Sequence, residues 1–152
     1  MKSSDEIRTI NGVPLHFTLD GRDAAPMITF AHALFLDLRS FDPQVTAFRD
    51  TYRILRLDIR RHGRTDPDGA PFSQEDIADD VVGLLDCIGC GQTHFVGSSL
   101  GAMPSDYPVL RLWPLKGCCL RKALPGLSEV FLRCGPPVLI IGPPSPDRWR
   151  QC

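Results

Sequence analysis

The residues Thr93-His94-Phe95-Val96 form a short apolar run that leads directly into Gly97-Ser98-Ser99-Leu100-Gly101. This is G-x-S-x-G, the pattern of a turn in which a strand gives way abruptly to a helix with a serine at its apex. The constraint it imposes is steric. The central residue must take a strained backbone conformation, and the residues two positions to either side must be small so that backbone can pass close by. A chain that carries this turn needs a strand before it and a helix after it. Ser99 would then stand above the edge of a sheet, where the N-terminus of the next helix favours negative charge.

The preceding residues supply the frame. Residues 6–10 and 13–19 alternate as strands around Asn11-Gly12, a strong hairpin signal. Residues 26–31 read as a continuous apolar strand of a buried sheet. Leu38, Phe41, Val45 and Phe48 recur at helical spacing, with Pro43 setting the true helix start near Asp42. Residues 52–59 read as another strand, and residues 60–72 as a long polar loop. Ser73 and Asp76 cap a helix whose buried stripe is Ile77, Val81, Leu84, Leu85 and Ile88, and Gly89 and Gly91 stop it. Strands alternating with helices predict an α/β fold built on a mainly parallel sheet.

After Met103 the character changes. A helix leaving Ser99 should run for several turns, yet Pro104 and Pro108 follow at once. In a helix interior Pro108 would remove an N–H and clash with the preceding turn, at a cost of about 3 kcal/mol. Residues 109–127 show no period and are broken by Pro114, Gly117 and Pro125; residues 138–141 read as a buried strand. Basic and acidic residues number 10 and 15 through Met103 but 7 and 3 beyond it. The last 49 residues also hold nine of the fourteen prolines, four of the six cysteines and both tryptophans. The expected organisation is an α/β unit over 1–103 followed by an irregular Pro/Cys-rich tail of low order over 104–152.

Bulk properties exclude several classes. A length of 152 residues suits one domain with a real core. The net charge of -1 gives no reason to propose nucleic acid or an acidic membrane as partner. The opening Met-Lys-Ser-Ser-Asp-Glu-Ile-Arg lacks a secretory apolar core, and no apolar run approaches the roughly 20 residues that span a bilayer. A cytoplasmic protein with reduced cysteines is expected, of a size that leaves its oligomeric state open. Cys87-Ile-Gly-Cys90 has C-x-x-C spacing, but Cys118-Cys119 does not complete a zinc set, and Cys87 falls near a helix end where the dipole would not activate a thiol. These residues are read as adventitious thiols, with no metal and no cofactor.

Four stretches share order, spacing and residue type with a known superfamily: residues 32–44 (opening His32-Ala33-Leu34-Phe35-Leu36-Asp37), 57–67 (Leu57-Asp58-Ile59-Arg60-Arg61-His62-Gly63-Arg64-Thr65-Asp66-Pro67), 72–86 and 94–103. Over residues 7–103 the chain resembles an α/β-hydrolase, and within that superfamily it is most similar to 3-oxoadipate enol-lactonase-like hydrolases. The resemblance implies a serine nucleophile at Ser99 and an oxyanion hole made by the backbone N–H groups of Leu34 and Leu100. It also implies a small-molecule carboxylic ester or lactone as substrate. The 58–66 stretch resembles the family's D-x-R-G-H-G-x-S-D loop but has Arg61 where Gly is usual and Thr65 where Ser is usual. A backbone conformation that needs glycine at position 61 would be strained by Arg.

A triad in this superfamily follows the order Ser, acid, His. The four histidines are His16, His32, His62 and His94, all before Ser99. His16 reads as a surface or pairing residue of the hairpin, His94 as packed, and His32 and His62 as structural. Residues 135–142 resemble the strand leading to the family's acid, but Ser145 occupies the expected position and Asp147 comes two residues late. The lid and the His-bearing final segment have no counterpart in residues 104–152. The chain is therefore expected to be a truncated, weakly active or inactive hydrolase; the alternative is a non-catalytic remnant or binding module. The abrupt change at Met103 is what a shifted reading frame or a mis-joined coding segment produces. Translating the coding sequence in its other two frames should then yield a hydrolase-like continuation, and finding none in either frame would overturn that origin.

Overall fold

Asn11 and Gly12 both take positive φ, 49° and 79°, and close β1 (Lys2–Ile10) onto β2 (Val13–Gly21) through a two-residue turn with Ile10 opposite Val13. Paired positive φ values match the twist of the two strands, which is why Asn-Gly suits this position. The computed structural model describes residues 2–65 and 68–106, together with the backbone of three short strands further along. The elements that follow the hairpin are β3 (Met27–Ala31), a 3-10 turn at Leu38–Phe41, α1 (Asp42–Phe48), β4 (Arg53–Leu57), α2 (Gln74–Cys87) and β5 (Thr93–Gly97). A 3-10 helix at Ser99–Asp106 comes after β5.

The five strands form one sheet in the order β1-β2-β4-β3-β5. β3 runs parallel to both β4 and β5, whereas β2 is antiparallel to β1 and to β4. The sheet is mixed, and the expectation of a mainly parallel one is corrected here. The reason is local. The Asn11–Gly12 turn returns the chain beside itself, so the hairpin enters the sheet antiparallel; only the segments linked through α1 and α2 need parallel crossovers. Three further strands, β6 (Cys119–Leu120), β7 (Phe131–Arg133) and β8 (Val138–Leu139), form a separate antiparallel sheet in that order. The strand expected over 138–141 is thus found at Val138–Leu139. Its burial, the irregular stretch expected over 109–127, and the low order expected of the tail lie outside the described residues.

Period-two alternation puts a different apolar set on each face of the sheet. Met27 and Ala31 of β3, Leu55 and Leu57 of β4 and Phe95 of β5 pack with Ile77, Ala78, Val81, Leu84 and Leu85 of α2. Ile28 and Phe30, Ile54, and Val96 pack on the other side with Phe41, Val45 and Tyr52. The result is three layers, α1 and α2 sandwiching a sheet whose β3 is buried at all five residues. α2 starts with the capping box foreseen from Ser73 and Asp76: the Asp76 N–H donates to Ser73 Oγ, and the Ser73 N–H to the Asp76 carboxylate.

Two buried charges tie the layers together. Arg56 of β4, 7% exposed, donates to Asp20 of β2 at 3.0 Å and to Asp42 at the start of α1. Asp80 of α2, 1% exposed, receives a two-pronged contact from Arg60, whose Nη2 lies 2.8 Å from Oδ1, and a longer bond from Asn11 Nδ2 at 3.4 Å. Burial pushes the Asp80 carboxyl up from its ordinary range, and Arg60 opposes that shift. Removing one member of such a pair strands the other. Arg60→Ala should cost about 3 kcal/mol in urea denaturation, and the double variant Arg60→Leu/Asp80→Asn distinctly less, because no buried charge is then left alone.

Candidate active site

The elbow forms because β5 ends against backbone that admits no side chain. A Cβ added at Gly97 would sit 2.2 Å from the Gly101 carbonyl oxygen, and one at Gly101 would sit 2.2 Å from the Ala31 carbonyl oxygen. Between the two glycines Ser99 takes φ 48°, the left-handed region that a side chain disfavours. The close approach is locked by hydrogen bonds to the end of β3: the Ser98 N–H donates to the Ala31 carbonyl and the Gly101 N–H to the His32 carbonyl, each at 3.0 Å. Ser99 is exposed, and its hydroxyl has no hydrogen-bond partner among the described residues. The expected helix after it is the 3-10 segment Ser99–Asp106, tighter than an α-helix and able to take in Pro104.

The same contact brings the loop after β3 beside the elbow. His32 is fully buried and bonded at both nitrogens: Ile59 N–H donates to Nε2 at 3.0 Å, and Nδ1 lies 2.8 Å from the Ala33 carbonyl oxygen. Since Nε2 accepts, Nδ1 carries the proton and donates, and the ring is neutral. Burial moves its pKa down from the ordinary histidine value. Two residues on, Leu34 is 48% exposed, followed by Phe35 at φ 62° and 89% exposed. Leu100 is half-buried against the α2-side core at the start of the 3-10 helix, where the first N–H groups have no acceptor within the helix itself.

The loop after β4 closes the other side. Asp58, 1% exposed, accepts from the Leu38 N–H at 2.8 Å through Oδ1 and from the Arg64 N–H at 2.8 Å through Oδ2. His16 Nδ1 donates to the same Oδ2 at 2.7 Å. Gly63 is packed against this carboxylate so closely that a Cβ there would lie 2.1 Å from Oδ2. Arg61 takes φ 61°, so the position at which the sequence departs from Gly does require the left-handed conformation, and Arg bears the strain. Thr65 keeps the role a hydroxyl can fill: its Oγ1 donates to the Asp58 carbonyl at 2.8 Å and accepts from the His16 N–H at 2.9 Å.

His16 is therefore no surface residue. It is 4% exposed, with Asp5 Oδ1 and Arg64 Nη1 each 3.0 Å from Nε2. Of the two readings, surface or pairing residue of the hairpin, the second holds, since His16 lies opposite Ile7 of β1. The loop after β4 folds over the His16 face of β2 and buries it, and nothing in the sequence around His16 signals that cover. His94 packs edge-on to Tyr52 at 6.3 Å, and His62 Nδ1 donates to the Arg60 carbonyl at 2.8 Å. No hydrogen bond joins a histidine to Ser99 among the described residues. Asp147 lies outside them.

Leu34, Phe35, Leu36, Asp37, Arg61, His62, Gly63 and Phe72 line a hollow of about 520 Å³ between the two loops. Its lining includes Leu34 but not Ser99. Asp37 sits on its rim, its carboxyl held below the usual range by Arg39, whose guanidinium is 2.6 Å away. Cys87 and Cys90 are free thiols at the far end of α2, the first beside Arg8 at 3.5 Å. Among the described residues, no helix is long and apolar enough to cross a membrane.

Known proteins share this arrangement. The model of the alpha/beta hydrolase family matches residues 30–151. The chain is 33% identical over 92 residues to 3-oxoadipate enol-lactonase 1 of Acinetobacter baylyi, a match covering 60% of this chain and 34% of that protein. Among solved structures, the enol-lactonase from Burkholderia xenovorans LB400 superposes with a TM-score of 0.62 at 34% identity, over 65% of this chain and 39% of that one. An epoxide hydrolase from Vigna radiata superposes with a TM-score of 0.66 at 27% identity, over 78% and 40%. The chain thus spans little more than a third of the length of the curated relative. By a match that takes in the elbow and both loops beside it, this chain belongs to the alpha/beta hydrolase family.

Proposed function

We propose that this chain is the nucleophile-bearing part of a carboxylic-ester or lactone hydrolase of the enol-lactonase kind. The observation that carries the reading is the exposed Ser99 at positive φ between two glycines that tolerate no side chain. Such a turn stores strain for no structural gain unless the hydroxyl is used. Ser99 Oγ attacks the acyl carbon; the carbonyl oxygen becomes an oxyanion received by the N–H groups of Leu34 and Leu100; the alcohol or enol leaves with a proton, and water then releases the acid. The hollow beside Leu34 holds the acyl chain or the leaving group. Similarity to two enol-lactonases supports a lactone or activated ester over an unactivated amide.

The chemistry is lopsided. Stabilisation of the oxyanion is provided for, while none of the histidines is bonded to Ser99 among the described residues. Members of a triad act as a unit, so a missing base lowers turnover by orders of magnitude. Attack by Ser99 needs the base as much as release of the acyl group does, so both steps should be slow.

Two measurements test this. A fluorophosphonate probe should label the chain slowly but only at Ser99, and p-nitrophenyl acetate should be turned over slowly and without a burst; Ser99→Ala should abolish both. A folded chain that resists the probe overturns the hydrolase reading, and rapid steady turnover lost in Ser99→Ala overturns the lack of a base. Gly101→Ala, forced against the Ala31 carbonyl, should lose labelling and about 1–3 kcal/mol of stability in thermal or urea unfolding.

A further inference from the structure

The peptide group between Ala33 and Leu34 has two ends with different partners. Its N–H is the oxyanion donor assigned above, and its carbonyl oxygen is held by the side chain of His32. In a trans peptide the two point in opposite directions and move as one rigid plane. Whatever fixes the carbonyl therefore aims the N–H. We propose that His32 is a positioning residue of the oxyanion hole: its Nδ1–H, bonded to the Ala33 carbonyl, orients and polarises the Leu34 N–H toward the substrate oxygen above Ser99. The inference rests on the hydrolase reading and names how that site is held.

Four observations converge on it. First, the ring cannot turn over, because Nε2 accepts the Ile59 N–H at 3.0 Å and the side chain is fully buried. Rotating the imidazole by half a turn would set Cε1–H against the Ile59 N–H and Cδ2–H against the Ala33 carbonyl. Second, the Ala33 carbonyl also accepts the Leu36 N–H at 3.1 Å, so the plane is gripped from two sides. Third, the His32 carbonyl accepts the Gly101 N–H at 3.0 Å, which ties the same residue to the helix start that carries Leu100. One residue thus connects both proposed donors. Fourth, a hydrogen bond to a carbonyl draws electron density from its own amide and strengthens the N–H at the other end, by about 10–30% per bond.

A neutral ring suits this task. Protonation at Nε2 would break the bond from Ile59 and set a charge in a buried site; burial keeps the pKa below the ordinary value, His62 adds to that shift, and Asp58 and Asp37 oppose it. The sign follows. A histidine with a depressed pKa takes up its proton more readily in the unfolded chain, so its contribution to stability is intact at neutral pH and falls as pH drops through about 6.5.

The test combines a rate with a tautomer. In the full chain, His32→Leu should slow phosphonylation of Ser99 at saturating probe by about tenfold or more, with the probe's half-saturation concentration unchanged. His32→Asn, which keeps an amide donor, should recover part of the lost rate. Nitrogen NMR of the wild-type chain should show His32 protonated at Nδ1 and bare at Nε2 from pH 7 to below about 6.5, and this readout stands even if His32→Leu fails to fold. A folded His32→Leu chain labelled at the wild-type rate overturns the positioning role and leaves the hydrolase reading intact. So does a His32 protonated at Nε2 at neutral pH. A wild-type chain that the probe does not label overturns the hydrolase reading, and the oxyanion role with it.

Discussion

The contact on which the site depends is between backbone and backbone. Gly101 lies so close to the end of β3 that a single methyl group would collide with the Ala31 carbonyl, and Gly97 is as close to Gly101. That approach lets the Ser98 and Gly101 N–H groups bond the last carbonyls of β3 and its loop. Strand β5, the turn and the loop after β3 then form one rigid corner. The strain at Ser99 is held by these bonds and not by its own side chain, which is left exposed. A serine on an ordinary helix start would relax into it, whereas here neighbouring backbone forbids relaxation.

A second constraint lies beneath the corner. Asp58 receives backbone N–H groups from the loops after both β3 and β4 and a ring N–H from β2. A buried carboxylate with three donors is satisfied where one with fewer would be costly, so the three segments are bound to a common point. Gly63 is small because it packs on that carboxylate, and two residues earlier Arg61 takes a left-handed conformation. The strained residues Phe35, Arg61 and Ser99 belong to three different segments that border the same region. Strain concentrated there, with ordinary geometry in the helices, is the distribution expected when a scaffold holds a reactive centre.

Legibility in the sequence followed the range of the interactions. The hairpin at Asn11-Gly12, the capping box at Ser73 and the stripe of α2 depend on residues a few positions apart, and each was found as read. The elbow could be read because its glycines are needed at fixed offsets. What the sequence did not disclose depends on contacts between distant segments. His16 meets Asp58 across 42 positions, and no strand periodicity reports a loop folding over the face it occupies. The mixed character of the sheet was missed for a related reason: alternating strands and helices fix the inner crossovers and say nothing of where a leading hairpin will dock. The locking of His32 by Ile59 was equally invisible, since neither residue signals the other.

The histidines explain why the site reads as half of a catalytic machine. A general base needs an imidazole nitrogen that can take a proton and return it, and so one not already committed to holding the fold. His16 gives its Nδ1 proton to Asp58, His62 gives its own to the Arg60 carbonyl, and His32 is closed at both nitrogens. Each is engaged in shaping the loops beside Ser99, and none is hydrogen-bonded to its hydroxyl among the described residues. A fixed Nδ1–H tautomer is itself what a general base needs, so what these rings lack is contact with Ser99. Among the described residues no base is hydrogen-bonded to Ser99, which is the physical reason its hydroxyl is expected to attack slowly.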